Sequence, residues 1–378
     1  MINITRIQAW AFRSPTKKPV ATSFGVMHDR PAVLVRVEDR DGAFGWGEIW
    51  ANWPAAGAEH RVRLLEMDVA HLVLGTTAKT PTEFFHKLDA QTRIRAVQCG
   101  EEGPFAQVIA GLDIAVWDMT ARRAGTPLRR FIRDDAPDRV PAYASGIQIS
   151  AAGDLMPRAH AQGHQRFKLK VGFNMNTDIA AVQDIYAGLA DNELIACDAN
   201  QGWSLEQAQE FIAGVSGVPL HWLEEPLPVF ADTAEWQTLA QNSPIPLAGG
   251  ENIIGEAEFD HAINAGALSV IQPDVAKWGG VTACLAVARN ALANGRRYFP
   301  HFLGAGIGMA ASAELLAGAG GDGLLEVDVN DNPLRSSFFE GREPVADGMW
   351  ACGDGPGLGI TDIPEDLVHF KTLYAEMS

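Results

Sequence analysis

The sequence predicts an α/β protein, a (β/α) TIM-type barrel preceded by a smaller α+β region. Three observations carry this. From about residue 140, eight short β-branched or aromatic runs alternate with segments of helical length and pattern. Seven of those runs carry an ionisable residue at or near their ends. The first 125 or so residues lack this alternation and read as a strand meander followed by helices.

Taken in order, INITRIQAWAF (2–12) and AVLVRVE (32–38) read as strands, joined by a long polar loop carrying His28, Asp29 and Arg30. After the DRDG turn, AFGWGEIW reads as a third strand. From about 58 to 125 the pattern is helical, and FAQVIAGLDIAVWDMTARRAG is apolar around most of its circumference and ends at a glycine, as a buried helix does. The repeat follows as VPAYASGI, RFKLKVG, ELIACDAN, LHWLEEP, IPLAGGEN, LSVIQPD, RYFPHF and LLEVDV, separated by segments such as TDIAAVQDIYAGLA and LEQAQEFIAGV. Eight strands so spaced are the signature of a closed parallel barrel. The expected divisions are 1–135, 136–335 for the barrel, and a Gly- and Pro-rich tail, 336–378, that could pack back on the N-terminal region.

With 378 residues and 47% apolar composition, the chain has ample material for a core. A net charge of −17 disfavours nucleic acid or an anionic membrane as partner, so an anionic substrate needs a local positive site. Cys99, Cys197, Cys284 and Cys352 are scattered without zinc or redox spacing and read as inert thiols. No basic and apolar leader opens the sequence and no apolar run is long enough to span a bilayer, so the expectation is a cytoplasmic protein.

The chemistry lies at the strand ends: Lys170 on the second, Asp198, Glu224, Glu251, Asp274 and His301 on the third to seventh, and Glu326 on the eighth. Successive gaps are 28, 26, 27, 23, 27 and 25 residues, each about one βα unit, which places all seven on the C-terminal rim. Any one of these acids alone would more often be a cap or a solvated charge. Carboxylates on three consecutive strands, with strands about 4.8 Å apart, would repel severely without a cation. Hard oxygen donors with open positions suit Mg²⁺, with Mn²⁺ as the variant. Between Glu224 and Glu225 the choice is less sharp; Glu225 precedes proline and starts the loop, which favours Glu224.

Lys168 and Lys170 are two apart and share a face. An unperturbed lysine pKa of about 10.4 is too high for a base, but a second ammonium and a metal push it down. Lys170 is thus a candidate general base, with Lys168 as its tuner and a carboxylate contact. Asp274 beside His301 would fix the imidazole's tautomer and raise its basicity. Glu326, if kept protonated, could donate a hydrogen bond to a substrate carboxylate. Together these residues point to removal of a proton next to a carboxylate, with the ion neutralising the charge that develops. A lysine base with Mg²⁺ is a known pattern for such chemistry.

These residues resemble the enolase superfamily and, within it, the mandelate racemase subgroup. The resemblance rests on KLK at 168–170, DANQ at 198–201, LEEP at 223–226, GGEN at 249–252, QPDVAKWGG at 272–280, PHF around His301 and LLEVD at 324–328. It implies a modified, enolase-like barrel with an α+β capping domain built from both chain ends. It further implies Mg²⁺ on Asp198, Glu224 and Glu251, acid/base roles for Lys170 and the His301–Asp274 dyad, Glu326 facing the enediolate, and Asn200 at a substrate-contact position. Lys277 belongs to the segment after strand six and does not match the catalytic lysine of the muconate-cycloisomerase-like subgroup. The resemblance also implies a homo-oligomer.

Members of this subgroup racemise, epimerise or dehydrate small carboxylates. Loops around 14–30 and 48–60 would close over the pocket and offer His28, Asp29, Arg30, Trp50, Asn52 and Trp53, a mixture suited to a polyhydroxylated acid. Acid-sugar dehydration is the favoured expectation. Racemisation or epimerisation between Lys170 and His301 is the alternative, and a Schiff-base aldolase a distant one. The run GAGIG at 304–308 reads as close packing or a turn, since no Rossmann unit surrounds it.

Overall fold

A computed structural model describes residues 1–22, 25–341 and 344–378. The N-terminal sheet is an antiparallel meander of β1 (Ile2–Thr22), β2 (Gly25–Asp39) and β3 (Phe44–Ile49), with β4 (Thr77–Ala78) pairing the start of β1. Where a loop is expected, residues 13–22 and 25–31 instead extend the hairpin. Ser14 pairs Arg30 and Thr22 pairs Gly25, with an irregularity between Pro15 and Val20. The ladder needs only backbone groups, so a polar stretch can continue it beyond the core; hydrophobic alternation reports burial, not pairing.

Helix Pro81–Cys99 packs against helix Glu102–Arg123, which covers this sheet. The first opens with Thr80 accepting from the Glu83 N–H, with proline in its first turn, and closes on left-handed Gly100. The second is buried along most of its length because it lies between the sheet and the barrel. Glycines permit its closeness: a Cβ on Gly47 would lie 1.9 Å from the Gly111 carbonyl oxygen, and one on Gly45 2.0 Å from that of Ala115. On its far side, buried Asp113 accepts from the Thr282 N–H and hydroxyl and ties the helix to the barrel.

The barrel comprises β5 (Arg139–Gln148), β6 (Arg166–Lys170), β7 (Leu194–Asp198), β8 (Leu223–Glu224), β9 (Leu247–Gly249), β10 (Val270–Ile271), β11 (Arg297–Tyr298) and β12 (Leu325–Asp328). All neighbours are parallel, in the order β12-β5-β6-β7-β8-β9-β10-β11. Where β11 meets β12, Gly323 passes the Tyr298 carbonyl so closely that a Cβ would sit 2.1 Å from its oxygen. Strand alternation sends Tyr143, Ala196, Trp222, Ala248, Val270, Phe299 and Leu324 inward as a separate apolar cluster. This cluster floors the barrel. The strand-end residues lie one layer above it.

Beyond the barrel, β13 (Val345–Ala346) and β14 (Met349–Ala351) form a hairpin whose second strand pairs antiparallel with β5. The chain then returns to the N-terminal sheet, where β15 (Lys371–Met377) adds to the free edge of β1. The architecture is therefore a capping α+β domain, completed by the C-terminal strand, over a (β/α) barrel. Among the described residues no helix is long and apolar enough to cross a membrane.

Candidate active site

Strand register sets the polar layer. Lys170 pairs Asp198, and Asp198 pairs Glu224, so the ends of β6, β7 and β8 stand side by side. Glu251 lies in the turn after β9, where Gly250 (φ 146°) presses against the backbone of Gln272. Asp274 and His301 form an isolated parallel bridge beyond β10 and β11, and Glu326 lies on β12 beside Tyr143.

These groups interlock. Lys168, fully buried, donates to Glu224, lies 2.7 Å from Glu326 and 3.5 Å from Asp198. Lys170 donates to Asp198 Oδ2 and Asn200 Oδ1, both at 2.8 Å. His301 Nδ1 is 2.8 Å from Asp274 Oδ2, its Nε2 pairs with Glu251, and Glu326 Oε2 is 3.8 Å away. Glu224 also accepts from Trp222 Nε1 and Gln272 Nε2, and Glu326 from the Ser145 hydroxyl and the Phe302 N–H. Asn252 donates to Glu225 and Glu251 and accepts from Lys277.

The electrostatics follow from burial set against near charges. For His301, burial pushes the imidazole down, but Glu251, Glu326 and Asp274 outweigh it and hold it well above its ordinary range, as an imidazolium. For Lys170, burial and Lys168 push down, yet Asp198 and Glu251 together outweigh them and the net direction is up. The expected depression drew on a metal as well as on the second ammonium; among the chain's own groups the nearest charge to Lys170 is the Asp198 carboxylate. Burial favours the protonated form of Glu326, but Lys168 and His301 bring it below the ordinary carboxylate value, so it is an acceptor here.

Six carboxylates (Asp198, Glu224, Glu225, Glu251, Asp274, Glu326) face four cations (Lys168, Lys170, Lys277, His301), and 4 − 6 leaves −2 if all are ionised. Burial, joined by neighbouring acids, raises Glu224 to about 7 and Glu225 well above its ordinary value. The donor set thus suits a divalent cation in chemistry and in charge: hard oxygens, on adjacent strand ends, two positive charges short. Asp198, Glu224 and Glu251 would hold it. Their donor atoms do not surround one point, and among the described residues no three acidic, histidine or cysteine side chains do. Each of the three acids is turned to a cation of the chain itself, Lys170, Lys168 and His301 respectively.

The loop residues named from the sequence divide. Half-buried Trp50 lies under the Lys277 ammonium, 5.1 Å from its ring. Arg30 is buried and bonded to Asp328 at 2.9 Å, so its guanidinium joins the capping hairpin to β12. The Asn52 amide donates to the Leu303 carbonyl. Exposed His28 engages Thr16 through its carbonyl, Asp29 pairs with Arg13, and the Trp53 ring lies against Gly25. Sequence reasoning missed Gln272, Asn252, Ser145 and Glu48. The first could have been found, since it lies two residues before Asp274 on the same inward phase.

Two family models match the chain: the mandelate racemase/muconate lactonizing enzyme N-terminal domain over residues 6–132, and the enolase C-terminal domain-like over 152–366. The chain is 27% identical to D-galactarolactone cycloisomerase of Agrobacterium fabrum, covering 92% of this chain and 94% of the relative. It is 26% identical to arabinonate dehydratase of Saccharolobus solfataricus, over 88% and 89%. A crystal structure described as mandelate racemase/muconate lactonizing enzyme from Bordetella bronchiseptica RB50 superposes with a TM-score of 0.90, 48% identity, and coverage of 96% and 97%. A racemase from Streptomyces coelicolor A3(2), solved with bound magnesium, gives 0.85, 26%, 98% and 100%. With the family models spanning both domains, the chain belongs to the enolase superfamily, in its mandelate racemase/muconate lactonizing enzyme group of lyases and isomerases.

Proposed function

We propose that the protein is a magnesium-dependent hydro-lyase that removes the proton α to the carboxylate of an acid sugar and then expels the β-hydroxyl as water. The observation that carries this reading is the pair of proton carriers, Lys170 at the end of β6 beside Asp198 and His301 beyond β11 between Asp274 and Glu251. Mg²⁺ on Asp198, Glu224 and Glu251, with Mn²⁺ as a substitute, would neutralise the substrate carboxylate as its second charge builds. Lys170 takes the α-proton, and the C–H electron pair becomes the carbon–carbon π bond of the enediolate. Asp198 favours the protonated form of this lysine, so it must give up part of that contact before it can act as a base. His301 then passes its proton to the β-hydroxyl as the C–O bond breaks, and water leaves. Asp274 stabilises the imidazolium beforehand and keeps the ring aimed. The resulting enol becomes a 2-keto-3-deoxy acid.

A second reading, racemisation or epimerisation of a 2-hydroxy acid, is favoured by the same two carriers if the proton returns to the α-carbon. A panel of acid sugars and 2-hydroxy acids, assayed with Mg²⁺ and with excess chelator, separates them. Metal-dependent 2-keto-3-deoxy product supports dehydration. Inverted acid without keto product supports the second reading. Turnover undiminished by chelator overturns both.

A further inference from the structure

We propose that Glu48 and Asn52 of the capping domain are positioning residues for His301, acting through the segment 302–308 that follows it. This rests on the acid/base reading of His301 above. Glu48, on β3 and 3% exposed, accepts from the Ala305 N–H at 2.6 Å and the Gly308 N–H at 2.8 Å, at the start of helix Gly306–Ala319. Asn52 donates to the Leu303 carbonyl at 2.9 Å, and Asn332 to that of Gly304 at 3.2 Å. Between these anchors the Phe302 ring lies so close to Gly304 and Gly308 that Cβ atoms there would come within 2.4 and 2.3 Å of it. The Phe302 N–H meanwhile donates to Glu326.

The residue after His301 is therefore fixed in backbone and ring, and the turn behind it is held by two side chains from the other domain. The Asp274 carboxylate orients the imidazole, and the parallel bridge beyond β10, with the His301 N–H on the Pro273 carbonyl, holds the backbone at the ring, but neither reaches the turn that follows. Glu48 and Asn52 hold that turn. Because both belong to the capping domain, the aim of the catalytic imidazole depends on how the cap is seated. The glycine-rich run at 304–308 is thereby accounted for: it admits a carboxylate from above and an aromatic ring from the side. Misplacement of a catalytic group by about 1 Å costs on the order of 100-fold in rate.

The test uses the Mg²⁺-loaded full chain labelled with ¹⁵N-histidine, with H301N assigning the His301 imidazole among the ten histidines. Glu48→Gln keeps the shape but turns an N–H₂ towards one backbone N–H, and Asn52→Ala removes one hydrogen bond without disturbing the core. Each is expected to shift or broaden the His301 ring resonances while leaving those of the distant His164 in place. With the acid found in the panel above, kcat should fall on the order of 100-fold for Glu48→Gln with KM little changed. Folded variants whose His301 resonances do not move would overturn the proposal. If H301N retained full turnover, the catalytic reading of His301 would fail, while the resonances would still report on the clamp.

Discussion

Acidification should destabilise this protein through His164, which lies just before β6, at the end of the strand opposite Lys170. The residue is 2% exposed, and among the described residues its Nδ1 has no hydrogen-bond partner. Burial pushes its pKa from 6.5 to about 4. The folded pKa is depressed, so the unfolded chain takes the proton first as pH falls. The stability is fully present above pH 6.5, is lost as pH falls from there towards 4, and changes no further below. The move from 6.5 to about 4 corresponds to about 3 kcal/mol, of which about 2 kcal/mol is lost by about pH 5 and almost none at about pH 7.5. Leucine at this position cannot titrate, so every other pH effect cancels in the comparison of His164→Leu with the parent. Urea unfolding of both proteins at the two pH values should show the variant gaining about 2 kcal/mol relative to the parent on acidification. A relative change below about 0.5 kcal/mol would show that the ring is solvated or paired, and the argument would fail.

Asp274→Asn should lower turnover by about 100-fold or more, because an amide neither stabilises the imidazolium nor fixes its tautomer; a loss under about fivefold in a folded variant would remove Asp274 from the dyad. Asp328→Asn should cost about 3–5 kcal/mol in urea unfolding, since it leaves the buried guanidiniums of Arg30 and Arg335 without their shared carboxylate. A cost below about 1 kcal/mol would mean that the hairpin is not held there. Added Mg²⁺ should raise the melting temperature, with about 2.7 kcal/mol gained at 100-fold excess over its Kd, and Asp198→Asn should abolish the shift. An equal shift in that variant would place the ion elsewhere.

What the sequence made legible depended on distance along the chain. The rim acids could be read because βα spacing repeats and strand alternation fixes which side chain points inward, so Lys168, Lys170, Asp198 and Glu224 share a phase before any coordinates exist. Contacts between backbone and remote side chains leave no such trace. Glu48 meets Ala305 across 257 residues, and nothing periodic links the two. The polar hairpin arms, 13–22 and 25–31, were hidden for a related reason, since their pairing lies in the main chain while their sequence carries no apolar alternation. Arg30 and Asn52 were legible as loop residues near the pocket, but not as residues committed to Asp328 and Leu303.

The sign of a pKa shift is the hardest quantity to read from sequence, because it depends on which charge stands nearest. Two lysines on one strand imply mutual depression, yet the register places Asp198 directly beside Lys170, and attraction wins. The same closeness explains why the layer tolerates so much buried charge. Tyr143, Trp222 and Phe299 seal the barrel below, which strengthens every pairing above them, attractive or repulsive. Under that seal a surplus of two negative charges is expensive, and the chain meets it by raising Glu224 and Glu225 towards their protonated forms. A dication would remove the need for that protonation and would compete with Lys170 for Asp198. On this argument the ion and the base are coupled: whatever draws charge from Asp198 lowers the lysine towards the range where it can accept a proton.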